Sequence, residues 1–130
     1  MAFEYKMLVL MTFILLFAFI PASIAKFKSF GPAWLASNRA LVSTDLLPWG
    51  GRAERAHINL KDNFPGFLVA IILLGTLNKF DHLTMWASGL YVLGRIGHFV
   101  SYVAGNVQIR FWTYFLGLSA NVFLLAKIFT

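Results

Sequence analysis

The chain alternates long apolar runs with short polar segments, and the runs have the length of membrane-spanning helices. The first run, Met7 to Ala25, contains no charged residue, and about 20 such residues span a bilayer. We therefore predict an all-α integral membrane protein, a four-helix bundle in a single domain of residues 1–130. The predicted spans are residues 6–26, 53–78, 83–104 and 109–129, with a cytoplasmic loop over residues 27–52.

The first apolar run has a second interpretation. Lys6, the apolar core and Ser23-Ile-Ala25 resemble a secretory signal peptide with its cleavage site. We favour a retained spanning helix because the remainder of the chain is too apolar for a secreted domain.

Glycine and proline predict where the helices are interrupted. Gly31-Pro32 and Pro48-Trp-Gly-Gly51 are expected to break helices, with a short helical turn at residues 33–38 between them. A long helix is expected from about Arg52 to Asn78. Pro65 lies within it and should kink it or loosen a hydrogen bond. Short turns are expected at residues 78–82 and 105–106.

Composition narrows the possible functions. Hydrophobic residues make up 59% and charged residues 12% of the chain, whereas soluble domains average about 25% charged residues. The net charge of +6 comes without a basic patch of interleaved aromatics, so we expect no nucleic-acid partner. The absence of cysteine excludes disulfides and a protein thiolate, and the three scattered histidines predict no metal site.

Lysine and arginine predict the orientation of the chain in the membrane. Six of them are expected on one side of the bilayer, and three on the other. The larger group is Lys26, Lys28, Arg39, Arg52, Arg55 and Arg110; the smaller is Lys6, Lys79 and Lys127. The positive-inside rule places the larger group in the cytoplasm and both termini outside. The short loops favour a bacterial inner membrane.

Two polar stripes interrupt the apolar helices. Residues three and four apart share a helix face, and both stripes follow this spacing near the same side of the bilayer. The first is Arg52, Arg55, Asn59 and Asp62; the second is Tyr91, Arg95, His98 and Tyr102, and Arg110 follows it. Ionisable groups within a membrane usually face a bundle interior or a water-filled cavity. Together they suit a polar ligand that carries carboxylates and one ammonium group.

Several of these residues also have structural interpretations. Arg52 and Lys61 are typical of juxtamembrane surface charges. Arg95 could pair with Asp62 or with a helix carbonyl. His57 could be a packed or solvated histidine. Tyr91 could be an interfacial aromatic residue. Three further aromatic residues near the helix ends are predicted to form an interfacial belt: Trp86, Trp112 and Tyr114.

The spacing Arg52-x-x-Arg55-Ala56-x-x-Asn59-x-x-Asp62-x-x-Pro65 resembles the signature of the membrane-associated proteins in eicosanoid and glutathione metabolism. Arg95-x-x-His98-x-x-x-Tyr102 followed by Arg110 is similar to the second motif of that family. The resemblance covers the chain from about Lys26 onward and implies a homotrimer that binds glutathione between subunits near the cytoplasmic face.

The resemblance also implies roles for individual residues. It assigns glutathione binding to Arg55, Asn59, Asp62, Arg95, His98, Tyr102, His57 and Lys26, the last two through the adjacent subunit. Arg110 would face the thiol as the catalytic residue, and Tyr102 is the second catalytic candidate. The chain departs from the family pattern at Asp62, where many members have Glu, at Asn63, where some have Tyr, and at Lys26, where Arg is usual.

The leading hypothesis is a membrane glutathione transferase, alone or with peroxidase activity, that conjugates glutathione as co-substrate to lipophilic electrophiles taken from membrane lipid. The alternative is a non-catalytic scaffold or lipid-binding protein on the same fold. A small transporter subunit is less favoured, because its polar residues would line the full depth of a pore.

Overall fold

The computed structural model describes residues 1–39 and 46–130, and this part of the chain is helical, without strands. It contains six helices. They are α1 Phe3–Phe17, α2 Ile20–Phe30, α3 Pro32–Ala36, α4 Pro48–Thr76, α5 His82–Ala104 and α6 Val107–Lys127.

The first predicted span is longer than expected and is interrupted. It covers Phe3–Phe30 as α1 followed by α2, whereas residues 6–26 were expected as one helix. The interruption lies at Ala18 and Phe19, just before Pro21 near the start of α2. Proline lacks the N–H that would continue the hydrogen-bond ladder of α1, and the first turn of a helix tolerates that loss.

The predicted loop over residues 27–52 is largely helical in its described part. Residues 27–30 end α2, and α3 matches the short helical turn that was expected. Residues 40–45 lie outside the described residues. The four residues Pro48 to Gly51 were expected to break helices and instead begin α4. Pro48 suits a first helical position, because no N–H is needed there. Gly50 lets α4 approach α2 closely, since an added Cβ would lie 2.6 Å from the Cβ of Ala25.

Helix α4 continues through Pro65, so the expected kink does not end it. Side chains donate hydrogen bonds to two carbonyls in the two turns before the proline. The Asn63 Nδ2 donates to the Asn59 carbonyl at 2.8 Å, and the Tyr91 hydroxyl of α5 donates to the Asn63 carbonyl at 2.9 Å. Contacts from a neighbouring helix thus stabilise a segment that carries a helix breaker.

The two turns expected after α4 and α5 are present. Asn78 has a positive φ of 53° at the end of α4, and Asp81 caps α5 through the N–H groups of Leu83 and Thr84. Gly105 has φ 82° and ends α5, which fits the left-handed position that favours glycine after a helix.

Within residues 1–39 and 46–130, three helical segments are long and apolar enough to cross a membrane: Phe3–Phe30, Pro48–Thr76 and Val107–Lys127. Helix α5 is not among them, although residues 83–104 were predicted to span. It is long enough at 23 residues, but its buried face carries polar side chains. It packs against α1, α4 and α6, and those neighbours cover this face.

The charged residues divide between the two ends of the molecule, as the lysine and arginine positions predicted. At one end Lys26 pairs with Glu54. At the opposite end Lys127 pairs with Asp81 at 2.9 Å, and Lys79 donates to the Ile128 carbonyl. We call the end that carries Lys26 and Arg110 the basic end. Which side of the membrane it faces stays a prediction.

Candidate functional site

The predicted polar stripe of α5 exists and faces the inside of the molecule. Tyr91, Arg95 and His98 are buried, and Tyr102 is half-buried. Two glycines bring α6 against this stripe, because a Cβ on Gly94 would lie 2.7 Å from the backbone nitrogen of Gly117. The helix axes can approach this closely only where neither residue has a side chain.

Arg95 is the most deeply buried charge of the cluster, with 1% of its surface exposed. Its guanidinium lies between the rings of Tyr91 and Tyr114, at 5.5 and 5.3 Å from their centroids, which is cation–π range. Nη2 donates to the Tyr114 carbonyl at 3.4 Å. Of the two structural interpretations, pairing with a helix carbonyl is therefore confirmed, and pairing with Asp62 is wrong.

The orientation of His98 follows from one hydrogen bond. Its Nδ1 lies 3.1 Å from the Arg110 carbonyl oxygen. A carbonyl oxygen only accepts, so Nδ1–H must donate. Nε2 then carries the free lone pair in the neutral ring. Among the described residues, buried Nε2 has no partner, and neither do Nε and Nη1 of Arg95. The cluster therefore contains enclosed donors and one acceptor that the described residues leave unsatisfied.

Arg110 lies at the basic end, next to Tyr102. Its guanidinium carbon is 4.6 Å from the centroid of the Tyr102 ring, and the Tyr102 ring contacts His98 edge-on at 5.6 Å. No acid pairs with Arg110 in the described part of the chain. The structure thus brings Arg95, His98, Tyr102 and Arg110 into one cluster whose outermost cation is free to meet an anion.

Arg52 has a different role from the surface charge predicted for it. Its Nε donates to the carbonyl of Val103, in the last turn of α5, at 3.0 Å. Its guanidinium also lies against Gly105, where an added Cβ would be 3.4 Å from Nε. The last carbonyls of a helix have no partner within the helix and attract cations. Arg52 therefore fixes α4 to the turn between Tyr102 and Arg110.

The other members of the α4 stripe do not touch this cluster. Arg55 and Asp62 are exposed and Asn59 is half-buried, and in the described part of the chain neither Arg55 nor Asp62 has a charged partner. Their side of the helix faces toward α6, because Gly66, one turn beyond Asp62, lies against Asn121. The stripe thus flanks the cluster and remains open to a ligand or another subunit.

His57 and Lys26 lie elsewhere. His57 is two residues from Asn59, and residues two apart point to nearly opposite sides of a helix. Lys26 Nζ is 2.6 Å from the Glu54 carboxylate, one turn before His57 on that second side. The structure therefore does not bring His57 and Lys26 to the Asn59 side of the same chain.

The structure decides between the two interpretations of Tyr91 and corrects the one given for Tyr114. Tyr91 is fully buried and stacks on Phe67 at 4.0 Å, so it does not belong to an interfacial belt. Tyr114 contacts His98 at 5.5 Å as well as Arg95. The spacing of four residues between Arg110 and Tyr114 could have indicated that both share one face of α6.

The molecule has helices long enough to span a membrane and a cationic cluster between its helices. These features define an integral membrane protein with a polar site near one end. The chain belongs to the MAPEG family, whose family model matches residues 5–130. No curated protein and no solved structure matches the chain. The family includes glutathione transferases and other members.

Proposed function

We propose that this protein is a glutathione transferase that conjugates glutathione to lipophilic electrophiles, with the site at the basic end facing the cytoplasm. The observation that carries the proposal is Arg110. It is half-buried, stacked on Tyr102 and without an acidic partner in the described part of the chain. A cation held in this way suits a small anion such as a thiolate.

The chemistry follows from the charge of Arg110. A free thiol has a pKa of about 8.5, so little of it is ionised at neutral pH. A neighbouring cation lowers such a pKa by about 1–3 units. A guanidinium keeps its own protons, so the thiol proton passes to solvent. The thiolate then forms a sulfur–carbon bond with the electrophile, and the leaving group departs with the electron pair.

The other residues of the proposed site suit the charged ends of glutathione. Asp62 can accept from its ammonium, and Arg55 and Asn59 can donate to its carboxylates. His98 and Arg95 offer the unpartnered atoms described above. Lipophilic electrophiles concentrate in the surrounding lipid, so we propose that they enter from the membrane.

We also propose that the complete site needs a neighbouring subunit, as in the homotrimer that the family resemblance implies. His57 and Asn59 point to nearly opposite sides of α4. A single glutathione molecule can contact both His57 and Asn59 only if the His57 side of one subunit faces the Asn59 side of the next. Lys26 would contribute from the same side as His57, although Glu54 already neutralises it within the chain.

The test compares Arg110→Ala with wild type in detergent. Thiolate absorbance on adding glutathione reports ionisation, and equilibrium binding reports affinity. At neutral pH about 3% of a thiol with a pKa of 8.5 is ionised, so lowering the pKa by 1–3 units raises the thiolate fraction by about 8- to 30-fold. We expect conjugation to fall by a comparable factor and binding much less. Arg39→Ala, an exposed arginine in the loop after α3, should change neither.

Equal losses of binding and conjugation in Arg110→Ala would reject the thiolate role. Glutathione binding without conjugation of several electrophiles by wild type would support the alternative of a non-catalytic scaffold or lipid-binding protein.

A further inference from the structure

A wide, open depression of about 310 Å³, with both apolar and ionisable residues in its lining, lies at the end of the molecule opposite Arg110. It lies where the first turn of α1 meets the start of α5. Its lining residues are Phe3, Glu4, Phe80, Asp81, His82 and Met85. None of these residues belongs to the site at the basic end.

An apolar groove continues from this depression along α5. The groove also measures about 310 Å³, and Phe3 and Met85 line both spaces. Its other walls are Trp86, Gly89, Leu90 and Leu93. Gly89 keeps the groove open, because an added Cβ would already be in contact with Phe3 at 3.6 Å. We call the first space, which holds Glu4 and Asp81, the mouth. The mouth and the apolar groove together form one amphipathic space.

Glu4 is the polar group of this space that lacks a full set of partners. Only 3% of the residue is exposed. Its Oε1 accepts from the Thr84 hydroxyl at 2.6 Å, whereas Oε2 has no partner among the described residues. Oε2 keeps some exposure, so a donor in the depression can reach it. Asp81, the other acid of the mouth, is already engaged by Lys127 and by the capped N–H groups of α5.

We propose that this amphipathic space binds a phospholipid whose headgroup ends in a primary ammonium, phosphatidylethanolamine. One acyl chain occupies the groove, and the ammonium donates a charge-assisted hydrogen bond to Oε2 of Glu4. A choline headgroup has no N–H to donate. An anionic glycerol headgroup brings its phosphate to the Glu4 carboxylate without a cation to pair with it and is disfavoured. The inference does not depend on glutathione, because the two sites are at opposite ends.

The test is native mass spectrometry of the detergent-purified protein incubated with phosphatidylethanolamine, phosphatidylcholine or phosphatidylglycerol of identical acyl chains. We expect wild type to retain phosphatidylethanolamine in preference to the other two. Glu4→Gln keeps the size of the side chain and removes its charge, so retention should fall to the level of phosphatidylcholine. Glu54→Gln, the same change at the basic end, should keep the preference.

Gly89→Leu tests the groove independently of Glu4. The leucine side chain fills the space next to Phe3, so retention of all three lipids should fall, while thermal unfolding shows that the variant is folded. Equal retention of the three lipids by wild type would overturn the proposal, as would a preference that survives Glu4→Gln. An oligomer that retains no lipid at all would indicate a groove covered by a second copy of the chain and would also overturn it.

Discussion

Substituting Gly94 by alanine tests the close contact between α5 and α6 on which the cluster depends. The added Cβ would lie 2.7 Å from the Gly117 nitrogen and 3.0 Å from the Thr113 carbonyl oxygen. Both are backbone atoms, so a helix must move. Overpacking of this kind costs about 1–3 kcal/mol. Alanine recovers about 0.5–1 kcal/mol through its helix preference. The middle of each range leaves a net loss of about 1 kcal/mol.

Gly89→Ala is the matched control on the same helix. Its Cβ would meet only the Phe3 ring, at an ordinary 3.6 Å, so the helix preference should leave this variant at least as stable as wild type. Both free energies of unfolding can be measured by titrating the protein from mild detergent into denaturing detergent and following helix content by circular dichroism. Equal stability of Gly94→Ala and wild type, or equal shifts in both variants, would refute the packing argument.

Three further outcomes are expected. Arg52→Met should speed amide hydrogen exchange around Val103, because it removes the hydrogen bond from Arg52 to the Val103 carbonyl. Unchanged exchange would contradict the role of Arg52 in fixing this turn. The pKa of Asp81 is held below its usual 3.8 by Lys127 and by the α5 cap, so the stabilisation is complete above 3.8 and is lost as the pH falls through the lower pKa of the folded state. The thermal midpoints of wild type and Asp81→Asn should therefore differ at pH 7, and the difference should shrink only as the pH falls below 3.8. Tyr91→Phe should cost about 0.5–1.5 kcal/mol of unfolding free energy while keeping the Phe67 stack, and no change would argue against a role for its hydroxyl.

The sequence was informative wherever local periodicity decides the outcome. The helices α4, α5 and α6 were predicted within a few residues, because long apolar runs leave the backbone no alternative in a membrane. The stripe from Tyr91 to Tyr102 was also predicted, since helical spacing places these residues on one face. The sequence was less informative at Pro48 to Gly51. These residues usually break helices, but here they begin α4, because Gly50 packs against Ala25.

The sequence alone determined the helical class, the family signature and the concentration of cations at one end of the molecule. These depend on composition and on spacing within one helix. Only the tertiary structure decided which partner each polar side chain meets. Arg52 of α4 bonds to Val103 of α5. Arg95 lies between two tyrosines and Tyr114 joins the cluster, because Gly94 and Gly117 allow α5 and α6 to touch. Contacts between helices depend on their relative rotation and separation, and spacing along one helix does not encode these.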